Sequence, residues 1–402
     1  MNKFVENLSL ALHRERPRER YVAVLSNEAG DLDSICSSTI LAFHLSEHTK
    51  ERHIPVMAFS RKDLPLKTEA LYAFGEEGLD PNKLIFAEDL KGHEGQISGV
   101  FLVDNHFISV ASLKCLEPKI TAVMDHRPWE IPATYYSSKT VDEWMEIVGS
   151  CATLVATKIF KENCAFNDQA ALTLLRGCIL LDTGNLSKKA LKATERDIDI
   201  LQNIERRLVK RGTCPPRLQQ YDALETAKEN VSSFSLSMLI RKDLKTLSWP
   251  GTGCLPIALS VIPGQSSFKV LQRPDFNEHA EKLLNPGCRG FGVIALFGSD
   301  DLYDILIMGT AAPEFRQKIV TMLLGIQDAN MEVVPYAKIQ SELGVPKSLL
   351  DKFNVTCMTF PNRSYSRKRL LPLIKTTIEE ELESPPKRGT SLRVYRTHTT
   401  DV

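Results

Sequence analysis

The chain has 402 residues, room for two globular domains, and its 43% hydrophobic and 25% charged residues are those of an ordinary soluble protein. Lys plus Arg and Asp plus Glu both number 50, so no overall charge draws it to nucleic acid or to an anionic membrane; an anionic substrate must be met by a local cluster. Its nine scattered cysteines include no C-x-x-C pair and suit a reduced, intracellular protein better than a disulfide framework, and no run of about 18 apolar residues offers a membrane span.

The first twenty residues lack a signal-peptide core. Arg14, Arg16, Arg18 and Arg20 are interleaved with Glu15 and Glu19, a poor transit peptide, so a cytoplasmic protein is expected and a mitochondrial address is the weaker reading. Tyr21 to Leu25 is a short apolar run that reads as a buried strand. It empties into Asn27-Glu-Ala-Gly-Asp31-Leu-Asp33-Ser34, and an apolar helical pattern follows through Ile35, Ile40 and Phe43. Two carboxylates at i and i+2 on a Gly-assisted turn repel each other, and a divalent cation is the simplest compensation. Taken alone, Asp31 or Ser34 is better read as a helix cap.

Later elements change that balance. Ile54 to Phe59 reads as a second strand, Leu64 to Phe74 as a helix and Leu84 to Phe86 as a short strand. Gly99 to Val103 is a strand ending in Asp104-Asn105-His106, and Ile120 to Met124 is one ending in Asp125-His126-Arg127. Asp and Asn are common after strands, but His is not a usual turn residue. Gly149-Ser150 opens a helix to about Phe160, where free N–H groups would suit an anion but Ser150 as an ordinary cap is the simpler reading. Asp168 to Leu181 is a further helical segment, ending at Asp182-Thr183-Gly184. The alternation predicts an α/β domain with a doubly wound parallel sheet.

Between Glu205 and Tyr221 the pattern lapses into Arg206, Arg207, Lys210, Arg211 and Gly212-Thr-Cys-Pro-Pro216, which reads as a linker over 206–220. A second, smaller α/β domain is expected over 221–382. Its strands would be Leu255 to Ile262, Gly292 to Phe297 and Leu302 to Met308, with a helix over Pro313 to Leu324. Residues 383–402 are polar, with Pro385 and Pro386, and read as a disordered tail. The terminal Thr400-Asp401-Val402 matches a carboxylate-capture ligand, a weak three-residue signal for protein partners.

Asp31, Asp33, Asp104, His126 and Asp182 together offer enough oxygen and imidazole donors for two divalent ions, Mn²⁺ or Mg²⁺ rather than zinc. Such a site clamps a phosphoryl group and activates water against phosphorus. The order N-x-x-x-D-x-D-S, V-D-N-H, D-H-R, L-L-D-T resembles the four motifs of the DHH phosphoesterase superfamily over residues 20 to 380. The second half resembles the accompanying DHHA2 domain through Arg241-Lys-Asp-Leu-Lys245 and Ser366-Arg-Lys-Arg369. The absence of a Gly-Gly-Gly-His run points away from the nuclease branch and toward the exopolyphosphatase and prune-type branch.

The resemblance implies a DHH metal-binding catalytic domain over 21–205 after an N-terminal extension of residues 1–20, a substrate-binding DHHA2 domain, and an active site in the cleft between them. It implies Asp31, Asp33, Asp104, His126 and Asp182 as metal ligands, with Asp104 bridging and Asp125 orienting. Asp104, His126 and Arg127 would be catalytic, and His106, Arg127, Lys245, Arg367 and Lys368, with Arg369 weaker, would contact phosphate. Asn27 stands where pyrophosphatases of the superfamily carry a metal-binding His, and Arg127 stands where the eponymous motif carries its second His. Arg holds phosphate well but cannot shuttle a proton. The expected activity is release of phosphate from short polyphosphates; alternatives are cyclic nucleotide hydrolysis, or a low-activity scaffold that binds proteins.

Overall fold

The computed structural model describes residues 1–8, 12, 19–128, 141–187, 192–247, 257–263, 266–283, 292–298, 303–309, 313–361, 365 and 367–383. Two compact units divide the chain, Met1–Asn230 and Val231–Val402. The first contains α1 (Asn2–Asn7), β1 (Tyr21–Leu25), α2 (Leu32–His48), β2 (Arg52–Met57), α3 (Thr68–Glu76), β3 (Ile85–Phe86), β4 (Ile97–Val103), β5 (Ile120–Asp125) and β6 (Asp142–Met145). Four helices complete it: α4 (Cys151–Glu162), α5 (Gln169–Asp182), α6 (Glu195–Lys210) and α7 (Arg217–Glu229).

Its strands form one parallel sheet in the order β3-β2-β1-β4-β5-β6. Every residue of β1 is buried, as a parallel strand covered on both faces requires. The strand order reverses between β1 and β4, where Leu25 lies opposite Leu102. The loop after β1 and the turn holding Asp104 therefore leave the sheet side by side, at the switch point where α/β sheets place their ligands.

α2 is buried along most of its length, with Ile35, Ile40 and Leu41 in the core. Its Ser38 and Thr39 are tolerated there because their hydroxyls donate to the carbonyls of Ser34, at 2.8 Å, and Ile35, at 2.7 Å. Val5 and Leu8 belong to the same core, so the start of the expected N-terminal extension is packed structure. The helix read at Leu64 to Phe74 is instead a 3₁₀ turn (Arg61–Leu66) followed by α3; Pro65 has no N–H to continue an α-helical ladder.

The stretch expected as a linker is also packed structure. Residues 206–220 are the end of α6, a short connection and the start of α7, all within the first unit. Ile200, Leu201, Ile204 and Leu208 give α6 a buried apolar face; of the basic residues that suggested a linker, Arg206 and Lys210 are exposed, while Arg207 packs over Phe160 and donates to the Phe166 carbonyl at 2.7 Å. The side chain of Arg176 from α5 is 1% exposed and closes the arrangement. Its guanidinium donates to Glu205 Oε1 at 3.0 Å, Gln220 Oε1 at 2.5 Å and the Pro215 carbonyl at 3.0 Å, while Arg217 holds the same glutamate at 2.6 and 2.8 Å.

The second unit contains α8 (Leu236–Lys242), β7 (Leu244–Leu247), β8 (Ile257–Pro263), α9 (Ser267–Leu271), α10 (Phe276–Leu283), β9 (Gly292–Gly298), β10 (Tyr303–Gly309) and α11 (Pro313–Leu324). β11 (Glu332–Val333), α12 (Tyr336–Leu343), α13 (Lys347–Lys352), β12 (Thr356–Phe360) and α14 (Arg367–Glu383) follow. Its mixed six-stranded sheet runs β11-β12-β10-β9-β8-β7. Leu259, Ile305, Leu323, Met358 and Leu370 lie in the core of this unit. The strands expected near Leu255, Gly292 and Leu302 are β8, β9 and β10, whereas β12, α12 and α13 were not foreseen. The expected tail lies outside the described residues from 384 onward.

Arg176→Leu leaves Glu205 with one cation and Pro215 and Gln220 without their donor. It should destabilise the first unit by about 3 kcal/mol, the scale of breaking a buried ion pair, in chemical denaturation of the full chain. In the second unit, Asp304 is 2% exposed and accepts the Ser267 N–H at 2.9 Å; burial lifts its carboxyl to about 6. The unfolded chain then releases this proton at lower pH than the folded one, so stability falls as pH rises from about 4 to about 6 and stays lower above that. Asp304→Asn should flatten that slope in unfolding midpoints measured across the range.

Candidate metal centre

β1 hands the chain to a tight turn whose Gly30 has φ of +55° and lies against the Phe59 ring, which a Cβ would meet at 2.3 Å. Asp31 caps α2: its Oδ1 accepts the Ser34 N–H at 3.0 Å, so the bland reading of this residue accounts for that oxygen. Asp33, in the first turn of α2, is 3% exposed and faces the start of α4. Its Oδ2 accepts the Cys151 N–H at 2.6 Å; its Oδ1 accepts the Ala152 N–H at 2.9 Å and the Ser37 hydroxyl at 2.9 Å. The helix N-terminus at Gly149-Ser150 thus holds an anion, and the anion is the protein's own carboxylate. Ser150, expected as an ordinary cap, makes no capping hydrogen bond.

Two further residues fix that helix end. Asp197 is fully buried and accepts the Gly149 N–H at 2.8 Å on Oδ2 and the Thr153 hydroxyl at 2.6 Å on Oδ1. It belongs to a capping box with Thr194. A Cβ on Gly149 would meet Thr183 Cγ2 at 2.6 Å and Asp197 Oδ2 at 3.0 Å, so the close approach needs glycine. Asp197 was missed in the sequence, although Thr194-Glu-Arg-Asp197 carries the capping-box spacing that marks a helix start.

Asp104 follows β4 with φ of +55°, a left-handed conformation that Asp tolerates better than most residues. Its N–H donates to the Met124 carbonyl at 2.8 Å. Asn27 Nδ2 donates to its Oδ2 at 2.6 Å, and an Arg127 Nη donates to its Oδ1 at 2.7 Å as well as to its carbonyl. His126 Nδ1 lies 2.9 Å from the Val148 carbonyl, which takes its proton and leaves Nε2 facing Asp104 Oδ1 at 3.4 Å. Asp125, 1% exposed, is the hub beneath: it meets His106 Nδ1 at 2.6 Å and accepts the His126 N–H at 2.7 Å and Arg127 Nε at 3.2 Å. His106 is itself buried, 3% exposed.

Asp33, Asp104 and His126 each present a ligand atom within 4.8 Å of the others, the one such acidic and imidazole group of this kind among the described residues. Asp31 and Asp182 stand outside that set but within reach of its field. The Asp182 carboxyl is raised well above the carboxylate range by burial and by the charges of Asp33 and Asp31, with the Ser150 hydroxyl pulling it down. Its Oδ2 is buried without a hydrogen bond of normal geometry. Burial and the Asp33 charge likewise raise Asp31. Burial lifts Asp104 to about 8, the His126 hydrogen bond opposing and the Asp31 charge adding to it. For His126 burial works downward, but Asp104 and Asp33 outweigh it and lift the imidazole to about 10. This crowd of buried carboxylates is short of positive charge, its oxygens are hard ligands, and one buried oxygen lacks a hydrogen bond of normal geometry; all three suit a divalent cation.

The remaining candidates lie in the second unit. Lys245 is in β7, and Arg367 and Lys368 open α14; their side chains are outside the described residues. Arg369 is exposed and its guanidinium stacks over Tyr365 at 4.2 Å.

A parallel sheet in this order, with buried carboxylates gathered at its switch point, is an open, doubly wound α/β fold. A structure from Methanococcus jannaschii described as a family II inorganic pyrophosphatase matches 74% of the chain and 90% of its own with a TM-score of 0.50 at 18% identity. No protein-family model matches the chain. Human "Exopolyphosphatase PRUNE1" is 28% identical over 399 residues, covering 96% of this chain and 81% of that protein. The bovine protein of the same name is 34% identical over 271 residues, 65% of this chain and 56% of its own length. Over these lengths the chain is similar to the proteins named exopolyphosphatase PRUNE1, and it shares the fold of the archaeal structure.

Gly149→Ala should push the start of α4 away from Asp33 and weaken Mn²⁺ binding by about 10- to 100-fold, the usual cost of disturbing a ligand's support. Mn²⁺ titration of the full chain checks it, with the unfolding midpoint, expected to fall, showing that the variant is still folded.

Proposed function

We propose that this chain is a metal-dependent phosphoanhydride hydrolase of exopolyphosphatase type, releasing phosphate from short-chain inorganic polyphosphate. The convergence of Asp33, Asp104 and His126 carries the reading. The names of the relatives support it: the human and bovine proteins are called exopolyphosphatases and the structural neighbour a pyrophosphatase.

Asp33, Asp104, His126 and Asp182 are the residues that would hold divalent metal. When bound, Mn²⁺ or Mg²⁺ supplies Lewis acidity toward a phosphoryl oxygen and an acidified water. Asp33 arrives oriented, because the start of α4 and Ser37 hold both of its oxygens. The Val148 carbonyl holds the Nδ1 proton of His126, so the proton that a metal would displace is the one on Nε2. Arg127, with a side chain 44% exposed, carries a permanent positive charge at the edge of the cluster and is suited to binding phosphate oxygens. The motifs of Lys245, Arg367 and Lys368 support further phosphate-binding roles.

The test is phosphate release from tri- and tetrapolyphosphate with Mg²⁺ or Mn²⁺, with pyrophosphate and cyclic AMP in parallel. Asp104→Asn suits the left-handed backbone but loses the negative charge, and should cost about 100- to 1,000-fold, the scale of removing a principal charge-stabilising group. Undiminished release by this variant would sink the proposal.

A further inference from the structure

Ser150 stands at the N-cap of α4 and is fully buried, yet its side chain does not cap the helix. A serine N-cap ordinarily accepts the N–H of the second or third helical residue. Here both are committed elsewhere. The Ala152 N–H goes to Asp33 Oδ1 at 2.9 Å, and the Thr153 N–H goes to the Ser150 carbonyl at 3.1 Å. The Cys151 and Gly149 N–H groups go to Asp33 and Asp197. The Ser150 hydroxyl is therefore the polar group of this helix start that the helix itself does not use.

The end of α5 packs against the same turn. A Cβ on Gly149 would meet Thr183 Cγ2 at 2.6 Å, and Thr183 directly follows Asp182, the last residue of α5. The Ser150 hydroxyl reaches the Asp182 carboxyl there. The hydroxyl oxygen and Asp182 Oδ2 are each buried without a hydrogen bond of normal geometry. One carries a proton to donate, the other has lone pairs to accept it, and a buried polar group of either kind requires a partner.

We propose that Ser150 is a positioning residue of the metal centre, its hydroxyl holding the Asp182 carboxylate instead of capping α4. The inference rests on the metal-dependent reading above and adds to it a residue that acts through a ligand. The start of α4 then orients two candidate ligands from two other helices. Its backbone N–H groups hold Asp33 of α2, and its N-cap side chain holds Asp182 of α5. A hydroxyl suits the second task because it is neutral and gives one hydrogen bond, which leaves the carboxylate its charge and its other lone pairs for a cation.

The experiment is a double-mutant cycle read as Mn²⁺ affinity, in calorimetric titration of the full chain. Ser150→Ala should weaken Mn²⁺ binding about 10-fold, the scale of removing a ligand's hydrogen-bonded support. In an Asp182→Asn background the same change should cost little more, because the carboxylate it acts through is already gone. Ser150→Gly also lacks the hydroxyl but suits a helix N-cap, and should weaken binding as Ser150→Ala does. Unfolding midpoints show which variants are folded. Undiminished affinity in a folded Ser150 variant would overturn the inference and leave the metal centre standing. So would an equal loss with and without the Asp182 carboxylate, which marks a merely structural effect. Asp182→Asn that binds Mn²⁺ as tightly as the unaltered chain would remove Asp182 from the ligands, and the inference with it. An unaltered chain that binds no Mn²⁺ would overturn the metal-dependent reading itself.

Discussion

The first unit depends on the burial of the Asp33 carboxylate against the start of α4. A carboxylate at 3% exposure without donors would be expensive to fold around, and two backbone N–H groups with one hydroxyl satisfy both of its oxygens. That contact fixes α4 relative to α2. Asp197 and Gly149 in turn fix α4 relative to α6 and the end of α5, where Asp182 stands. The same interaction that closes the helical layer aims the Asp33 carboxylate, so the packing and the position of this candidate ligand cannot be adjusted independently.

Arg127 introduces a second constraint. It ties the ends of β4 and β5 together by holding Asp104 and Asp125 at once, and Asp125 holds His106 and the backbone of His126. Asp104 keeps a left-handed backbone within that mesh, a strained conformation maintained by the Met124 carbonyl and the guanidinium. The D-H-R sequence therefore has a structural role of its own. A histidine at 127 would lack the reach of an arginine that contacts two carboxylates and a carbonyl.

Much of this was legible in the chain. Period and composition marked β1 to β5 of the first sheet, but not β6, and the helices α2, α4 and α5, and the recurrence of Asp and His at element ends marked the cluster. The partners were not legible. Nothing local to Asp33 shows that its donors lie at Cys151 and Ala152, or that the Asn27 amide turns its NH₂ toward Asp104, because these are decided by packing across the sheet. The linker reading of 206–220 failed for a different reason. Clustered arginines and prolines outweighed the apolar face of α6, and the buried Arg176 that pins the region is indistinguishable from a surface arginine in sequence. In the second unit β12, α12 and α13 are short, and brief elements leave little periodicity to read.

The chain separation of these contacts has a consequence for biosynthesis. Asp33 and its Cys151 donor are 118 residues apart, and the last ligand candidate, Asp182, closes α5. On a ribosome that adds about 5–20 residues each second, β1 and α2 therefore wait several seconds for the helices that cover them. During that interval β1 and β2 lack α4 and α5, and they lack β4 until residue 103 has been made. Fast local helix formation cannot shorten the wait, because the missing partners are not yet made. The apolar surface of the nascent first unit is therefore covered only once α4 and α5 have been made.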